Sequence, residues 1–280
     1  MAGPTAVVTG ASAGIGLHTA LGLARNGMRV VLVGRDHRRT EAARALVAAQ
    51  SPGAAVAAAA ADFASLGEVR RLASNLLAAF DRIEILVNNA GLFSPNCRRS
   101  ADGFELSFAV NHLAPFLLTN LLIDRLKASA PARIVTVASE AHRGRRLDPA
   151  SLARPSRYSA MRAYGGSKLC NILFTRELAR RLEGSAVTAV ALHPGVVATA
   201  IGDRGGIFGL GWRLLKPFMT SPERGAETSV FLATVPDPAR FHGGYVIGRE
   251  LAAPDPTALD PALARRLWTL SAELVGVSDP

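Results

Sequence analysis

Short runs of apolar, often β-branched residues recur along the chain, separated by longer segments with helical spacing. The runs are Ala6-Val7-Val8, Val30-Val31-Leu32-Val33, Ala54-Ala55-Val56, Ile83-Glu84-Ile85-Leu86-Val87, Ile134-Val135-Thr136-Val137, Val187-Thr188-Ala189-Val190 and Tyr245-Val246-Ile247. A strand that is apolar at nearly every position is buried on both faces, and the segments between these runs are long enough for crossover helices. The pattern predicts an α/β fold. It is a Rossmann-like, doubly wound, seven-stranded parallel sheet with helices on both faces, in a single domain over 1–280. The third run is nearly all alanine, so its strand rests on the rhythm of its neighbours rather than on β propensity. Pro and Gly cluster after Pro194 and again near Pro254. A lid-like insert is expected around 199–221, and a C-terminal helical tail around 255–280 ends in a short helix from Ala262 to Leu274.

Composition narrows the class. The 280 residues are 49% apolar and 19% charged, which is enough to bury a substantial core and excludes a disordered or fibrous chain. A net charge of +10 favours anionic partners such as nucleotide phosphates. Nucleic acid is not expected, because no helix-turn-helix, zinc finger or aromatic RNA-binding signature accompanies the charge. Cys97 and Cys170 can build neither a disulfide framework nor a metal site, so no metal is expected. With no leader and no run of about 18 apolar residues, no integral membrane segment is expected and the setting reads as cytoplasmic.

Candidate chemistry begins where the first strand runs into Thr9-Gly10-Ala11-Ser12-Ala13-Gly14-Ile15-Gly16. Glycines let the backbone turn tightly and approach a pyrophosphate at the N-terminus of the following helix. A plain strand-to-helix turn would use the same residues. Gly10-Ala11-Ser12-Ala13-Gly14 also matches a hydrolase nucleophile elbow, but that motif needs an oxyanion loop from an earlier strand, and none precedes it. Farther along, Ser139 ends a buried strand, and Tyr164 and Lys168 stand four residues apart, one helical turn. That spacing puts an ammonium beside a phenol, where positive charge favours the phenolate.

Together these motifs resemble the short-chain dehydrogenase/reductases. The resemblance rests on the glycine turn, Asn88-Asn89-Ala90-Gly91 after the fourth strand, Asn111, Ser139, the Tyr164/Lys168 pair and His193-Pro194-Gly195, in that family's order from about Thr5 to Leu232. Asn111-His112-Leu113 and Ser167-Lys168-Leu169-Cys170-Asn171 look most like the retinol dehydrogenase branch and its bacterial relatives. The resemblance implies Tyr164 as general acid/base, Ser139 as partner of the substrate oxygen, Lys168 as ribose ligand tuning Tyr164, and Asn111 as holder of a relay water. It further implies cofactor contacts from Gly10, Ser12, Gly14, Ile15, Gly16, Asp62, Asn89, Gly91, Pro194, Gly195, Val197 and Thr199. It also implies a homo-oligomer, dimer or tetramer, formed on the helices starting near Asn111 and Tyr164.

Three finer expectations follow. Arg35, after Gly34 at the end of the second strand, can pair with a 2′-phosphate, so NADP(H) is expected over NAD(H), although Asp36 follows at once and Ala13 stands where a basic residue is common. Phe208, Trp212 and Met219 are expected to line a pocket for a bulky apolar carbonyl substrate, opposite Leu92 and Phe93. His142 is expected at the pocket rim, His112 and His193 as packed, hydrogen-bonded histidines, and the arginines between Ser139 and Tyr164 as a solvated basic loop. A catalytically idle nucleotide-binding or sensor protein remains the alternative, since fold alone does not assign function.

Overall fold

The computed structural model describes residues 3–195 and 221–278. Strands β1 (Thr5–Thr9), β2 (Arg29–Gly34), β3 (Val56–Ala60), β4 (Ile85–Asn88), β5 (Ala132–Val137), β6 (Val187–His193), β7 (Tyr245–Ile247) and β8 (Glu250–Leu251) form one sheet in the order 3-2-1-4-5-6-7-8. Helices α1 (Gly14–Arg25), α2 (His37–Gln50), α3 (Leu66–Ala79), α4 (Leu106–Ala128), α5 (Pro149–Ala153), α6 (Ala160–Arg181), α7 (Pro222–Thr234) and α8 (Pro261–Val275) accompany it.

Strands β1 to β7 pair in parallel, as their apolar runs predict. The sequence reading missed β8, a two-residue strand antiparallel to β7. It follows Gly248 and Arg249, both at positive φ (57° and 74°) as a type I′ hairpin turn requires, and two residues are too few to show a period. The alanine-rich β3 starts at Val56, where the expected run ends. Pairing with β2 sets that register, since alanine supplies little side-chain preference of its own.

Alternate strand residues feed two separate cores. Val7, Val31, Leu86, Ile134 and Ala189 face α3, α4, α6 and α8, whereas Val8, Leu32, Val87, Val135 and Val190 face α1, α2 and α7. The runs therefore read as continuously apolar. Helix α4 is long and apolar enough to cross a membrane by length and composition, but 83% of its most apolar window is buried inside the fold. Its Ala109–Leu113 turn is π-helical, an irregularity that marks functional sites more often than ordinary helix does.

The predicted C-terminal helix is α8, and it packs on α4 and α6. Trp268 is 2% exposed, stacks on Phe174 (5.8 Å, 20°) and meets Phe116 edge-on at 4.9 Å. The Arg181 guanidinium lies 4.3 Å from the Trp268 ring centroid. Ser271 Oγ lies 2.9 Å from His112 Nε2, and burial drives the His112 imidazole down to a pKa of about 3. Because Trp268 anchors one helix to two others, Trp268→Ala should cost about 3–5 kcal/mol in urea unfolding. Loss below about 1 kcal/mol would show that α8 contributes little to the core.

Candidate active site

Helices after β1 and β4 leave toward opposite faces, which opens a crevice at the carboxyl ends of the strands. Thr9 and Asn89 brace its floor. Thr9 Oγ1 donates to the Val87 carbonyl (3.2 Å) and accepts from the Asn89 and Ala90 N–H groups (3.0 Å each), while Asn89 Nδ2 donates to the Thr9 carbonyl (2.7 Å). Sequence reasoning missed Thr9, whose signal was a hydroxyl at the end of an otherwise apolar strand. Asn89, expected to touch cofactor, commits its side-chain Nδ2 to holding the turn.

The turn itself is cut to backbone thickness. Gly10 and Gly14 adopt φ of 66° and 58°, and a Cβ at Gly16 would come within 2.5 Å of Asn89 Nδ2. Ala13, the N-cap of α1, makes no side-chain cap, so the first N–H groups of that helix have no side-chain acceptor among the described residues. Beside this turn, a Cβ on Gly34 would meet Ser12 Oγ at 3.3 Å. Arg35 is exposed and has no ion-pair partner among the described residues, whereas Asp36 Oδ1 is engaged as the cap of α2, accepting from the Arg39 N–H at 2.8 Å. Asp62 lies part-buried after β3, with Oδ1 accepting from the Ala64 N–H.

Across the crevice, Ser139, Tyr164, Lys168 and Asn111 come together from the turn after β5, α6 and α4. Lys168 is 4% exposed, and its ammonium donates to the Val137 carbonyl at 2.9 Å. Asn171 Nδ2 reaches the same carbonyl at 3.2 Å. Fully buried Asn111 accepts from the Leu92 N–H (2.7 Å) and donates to the Leu92 carbonyl (2.9 Å) and to Ser167 Oγ (3.0 Å). Its π-helical turn therefore holds the loop after β4. Gly91 sits between, since a Cβ there would lie 3.3 Å from Asn111 Oδ1 and 3.4 Å from Lys168 Nζ. The Phe93 ring, expected on a pocket wall, stands edge-on to Tyr164 at 5.8 Å.

The electrostatics differ from the expectation drawn from spacing. Lys168 Nζ lies 5.8 Å from the Tyr164 ring centroid, and burial pushes the Tyr164 phenol above its ordinary range, with a hydrogen bond from Ser139 pulling part of the way back. The ammonium gives its hydrogen bond to the Val137 carbonyl, and in the free protein burial keeps the phenol above its ordinary range. Burial also brings Lys168 down to a pKa of about 8.

His193 is packed as expected, but its Nδ1 has no partner among the described residues. His142 is not at a rim; it is fully buried behind Ser139. Pro194 and Gly195 end the described part of β6 and its exit, whereas Val197, Thr199, Phe208, Trp212 and Met219 lie outside the described residues. The basic segment lines a separate cavity of about 550 Å³ with Arg145, Arg146, Arg157 and Arg162. Gly166 also lines it, two residues and about 200° around α6 from Tyr164.

A dinucleotide fits these residues on three observations: the glycine cradle, the helix end without a side-chain cap, and the unpaired guanidinium at the end of β2. Fold and site together define a nucleotide-dependent oxidoreductase of the doubly wound class. The short chain dehydrogenase family model matches residues 4–205, and the chain belongs to the short-chain dehydrogenase/reductase family, in its retinol dehydrogenase branch. It is 45% identical to human retinol dehydrogenase 13 over 289 residues, covering 99% of this chain and 86% of that protein. Among solved structures, it resembles an uncharacterized protein from Mycobacterium Paratuberculosis (TM-score 0.80, 34% identity, 99% and 95% covered). It also resembles an NAD(P) dependent gluconate 5-dehydrogenase from Beutenbergia cavernae with bound NADP (TM-score 0.69, 30% identity, 88% and 95% covered). By this membership the protein is a hydride-transferring oxidoreductase acting on CH–OH groups.

A buried ammonium answered mainly by one carbonyl is costly to the fold. Replacing it in Lys168→Met should raise unfolding free energy by about 1–4 kcal/mol. With the folded pKa near 8 and the ordinary value at 10.5, the unfolded chain binds more protons in that window, so wild-type stability rises with pH there. Denaturant titrations at pH 7.5 and 9.5 should show this rise in wild type and its loss in Lys168→Met; an equal slope in both would contradict the buried charge.

Proposed function

We propose that the protein is an NADP(H)-dependent oxidoreductase that exchanges a hydride with a bulky apolar ketone or aldehyde, or with the corresponding alcohol. The observation that carries this reading is the meeting of Ser139, Tyr164 and Lys168 at one end of the crevice, with the glycine turn and Arg35 at the other. When bound, the nicotinamide supplies or accepts the hydride.

The chain's own groups handle the proton and the charge. As the carbonyl carbon is reduced, its oxygen gains charge, which the Ser139 and Tyr164 hydroxyls stabilise by donating to it. Tyr164 then passes its proton to that oxygen, acting as general acid, and takes it back in the oxidative direction. The high phenol pKa keeps this proton in place until a cation is bound nearby. Lys168 holds the ribose and, from the same buried position, adds positive charge behind Tyr164. Asn111, fixed to Leu92 and Ser167, orders a water on the path by which the proton is replaced. In the cofactor half, Gly10, Ser12, Gly14, Ile15 and Gly16 hold the pyrophosphate, Asp62 and Gly91 border the adenine and ribose, and Arg35 takes the 2′-phosphate, with Pro194, Gly195, Val197 and Thr199 around the nicotinamide.

Support for the apolar substrate comes from Phe93 against Tyr164 and from the relatives' printed names, since retinol is itself a bulky apolar alcohol. Phe208, Trp212 and Met219 complete that proposed pocket. A homo-oligomer, dimer or tetramer, belongs to the same proposal, with Trp268 of α8 packed on Phe116 and Phe174 of the helices expected to pair. A cytoplasmic setting belongs to the same proposal; the burial of α4 bears only on whether that helix crosses a membrane.

The test is turnover of unbranched aldehydes of increasing length with NADPH and NADH. Each added methylene is worth about 0.8 kcal/mol, so kcat/KM should climb severalfold per carbon. NADPH should be favoured about 10- to 100-fold, a preference that Arg35→Ala abolishes. Tyr164→Phe should bind NADPH normally and lose nearly all turnover. Retained activity in Tyr164→Phe, or equal use of NADH, would refute the respective assignment.

A further inference from the structure

We propose that His142 is a positioning residue that holds Ser139 in place by strapping the turn after β5 to the segment around Asp255. The proposal rests on the reading of Ser139 as the partner of the substrate oxygen.

Ser139 caps a single 3-10 turn, Glu140–His142, and its Oγ accepts from the Ala141 N–H at 3.2 Å. The Ser139 carbonyl faces His142 Nδ1 at 2.6 Å, and His142 Nε2 faces the Asp255 N–H at 2.9 Å. A carbonyl can only accept and a backbone N–H can only donate. The ring must therefore carry its proton on Nδ1 and a bare lone pair on Nε2, one neutral tautomer set from both sides. Neighbouring bonds tie the same two segments. Arg143 donates to the Ala253 carbonyl (2.8 Å), and the Gly144 N–H donates to Asp255 Oδ2 (2.8 Å).

The ring is fully buried and edge-on to Tyr245 at 5.2 Å, and the Tyr245 hydroxyl donates to Glu140 Oε1 at 2.9 Å. A second proton would put an N–H at Nε2 against the N–H of Asp255 and break the strap. Burial and Arg143 oppose that proton, whereas the Ser139 carbonyl, Glu140 and Asp255 favour it, and His193 senses the charge of the ring. The net direction is downward from the ordinary histidine value, so the strap holds at neutral pH and is lost as pH falls through the lowered pKa. None of these atoms belongs to the cofactor half of the crevice.

Three substitutions separate positioning from mere packing. His142→Leu removes both bonds. His142→Asn keeps a donor at the place of Nδ1, near the Ser139 carbonyl. His142→Gln reaches toward Asp255 instead. With NADPH and an aldehyde, His142→Leu should lower kcat about ten- to a hundredfold while leaving NADPH affinity, read by fluorescence, within about twofold. His142→Asn should recover most of the rate and His142→Gln little. Wild type should also lose kcat on the acid side of neutrality, and His142→Asn, which cannot be protonated, should not. Near-normal kcat in His142→Leu, or an unchanged acid limb in His142→Asn, would overturn the proposal. If His142→Leu fails to fold, the comparison of Asn with Gln and the acid limb carry the test. Ser139→Ala run alongside separates the two levels: full activity there would bring down the reading of Ser139 itself.

Discussion

The site is organised around one buried hydrogen bond, from the Lys168 ammonium to the Val137 carbonyl. An ammonium loses most of its hydration at that depth, and a single carbonyl with help from the local field replaces only part of it. The consequence is a lowered amine pKa of about 8 and a side chain locked in direction. That hydrogen bond joins α6, which carries Tyr164, to the end of β5, two residues before Ser139. Asn171, one turn along α6, shares the carbonyl and keeps it satisfied from a second side.

Around the functional groups, several polar side chains of the crevice secure backbone. Thr9 and Asn89 clamp β1 to β4, Asn111 clamps α4 to the loop after β4, and His142 clamps the turn after β5 to Asp255. Each clamp directs a polar side chain at main-chain atoms, and Thr9, Asn111 and His142 do so with both donor and acceptor. Such bonds are worth little net stability apiece, but leaving any partner unpaired in a buried site costs more than the bond contributes. Rigidity of the crevice is therefore enforced by the penalty for opening it.

Much of this was legible in the residues. Double-sided burial made seven strands visible as continuous apolar runs, and the chemistry-bearing residues of the crevice could be named because glycines, a strand-end serine and a Tyr/Lys pair one turn apart are local patterns. What stayed hidden is non-local. β8 is two residues long and exists because β7 offers an edge; β3 takes its register from β2 and not from its alanines. His142 looked like a rim residue because nothing near it in sequence reveals Asp255 as its partner. The phenol and ammonium of Tyr164 and Lys168 are one turn apart as expected, yet spacing along a helix does not say which neighbour the ammonium will choose.

Burial holds Tyr164 protonated in the free protein, and under the proposed function a bound cationic nicotinamide, with Lys168 beside it, brings the phenol down toward neutrality. Ultraviolet difference titration of tyrosinate measures this directly, with Tyr164→Phe subtracted to remove Tyr158 and Tyr245. Tyr164 is expected to ionise above the ordinary tyrosine value of 10 in the free protein and at least one pH unit lower with saturating NADP+. A Tyr164 that already ionises below 10 without cofactor, or one that does not move when NADP+ binds, would contradict it.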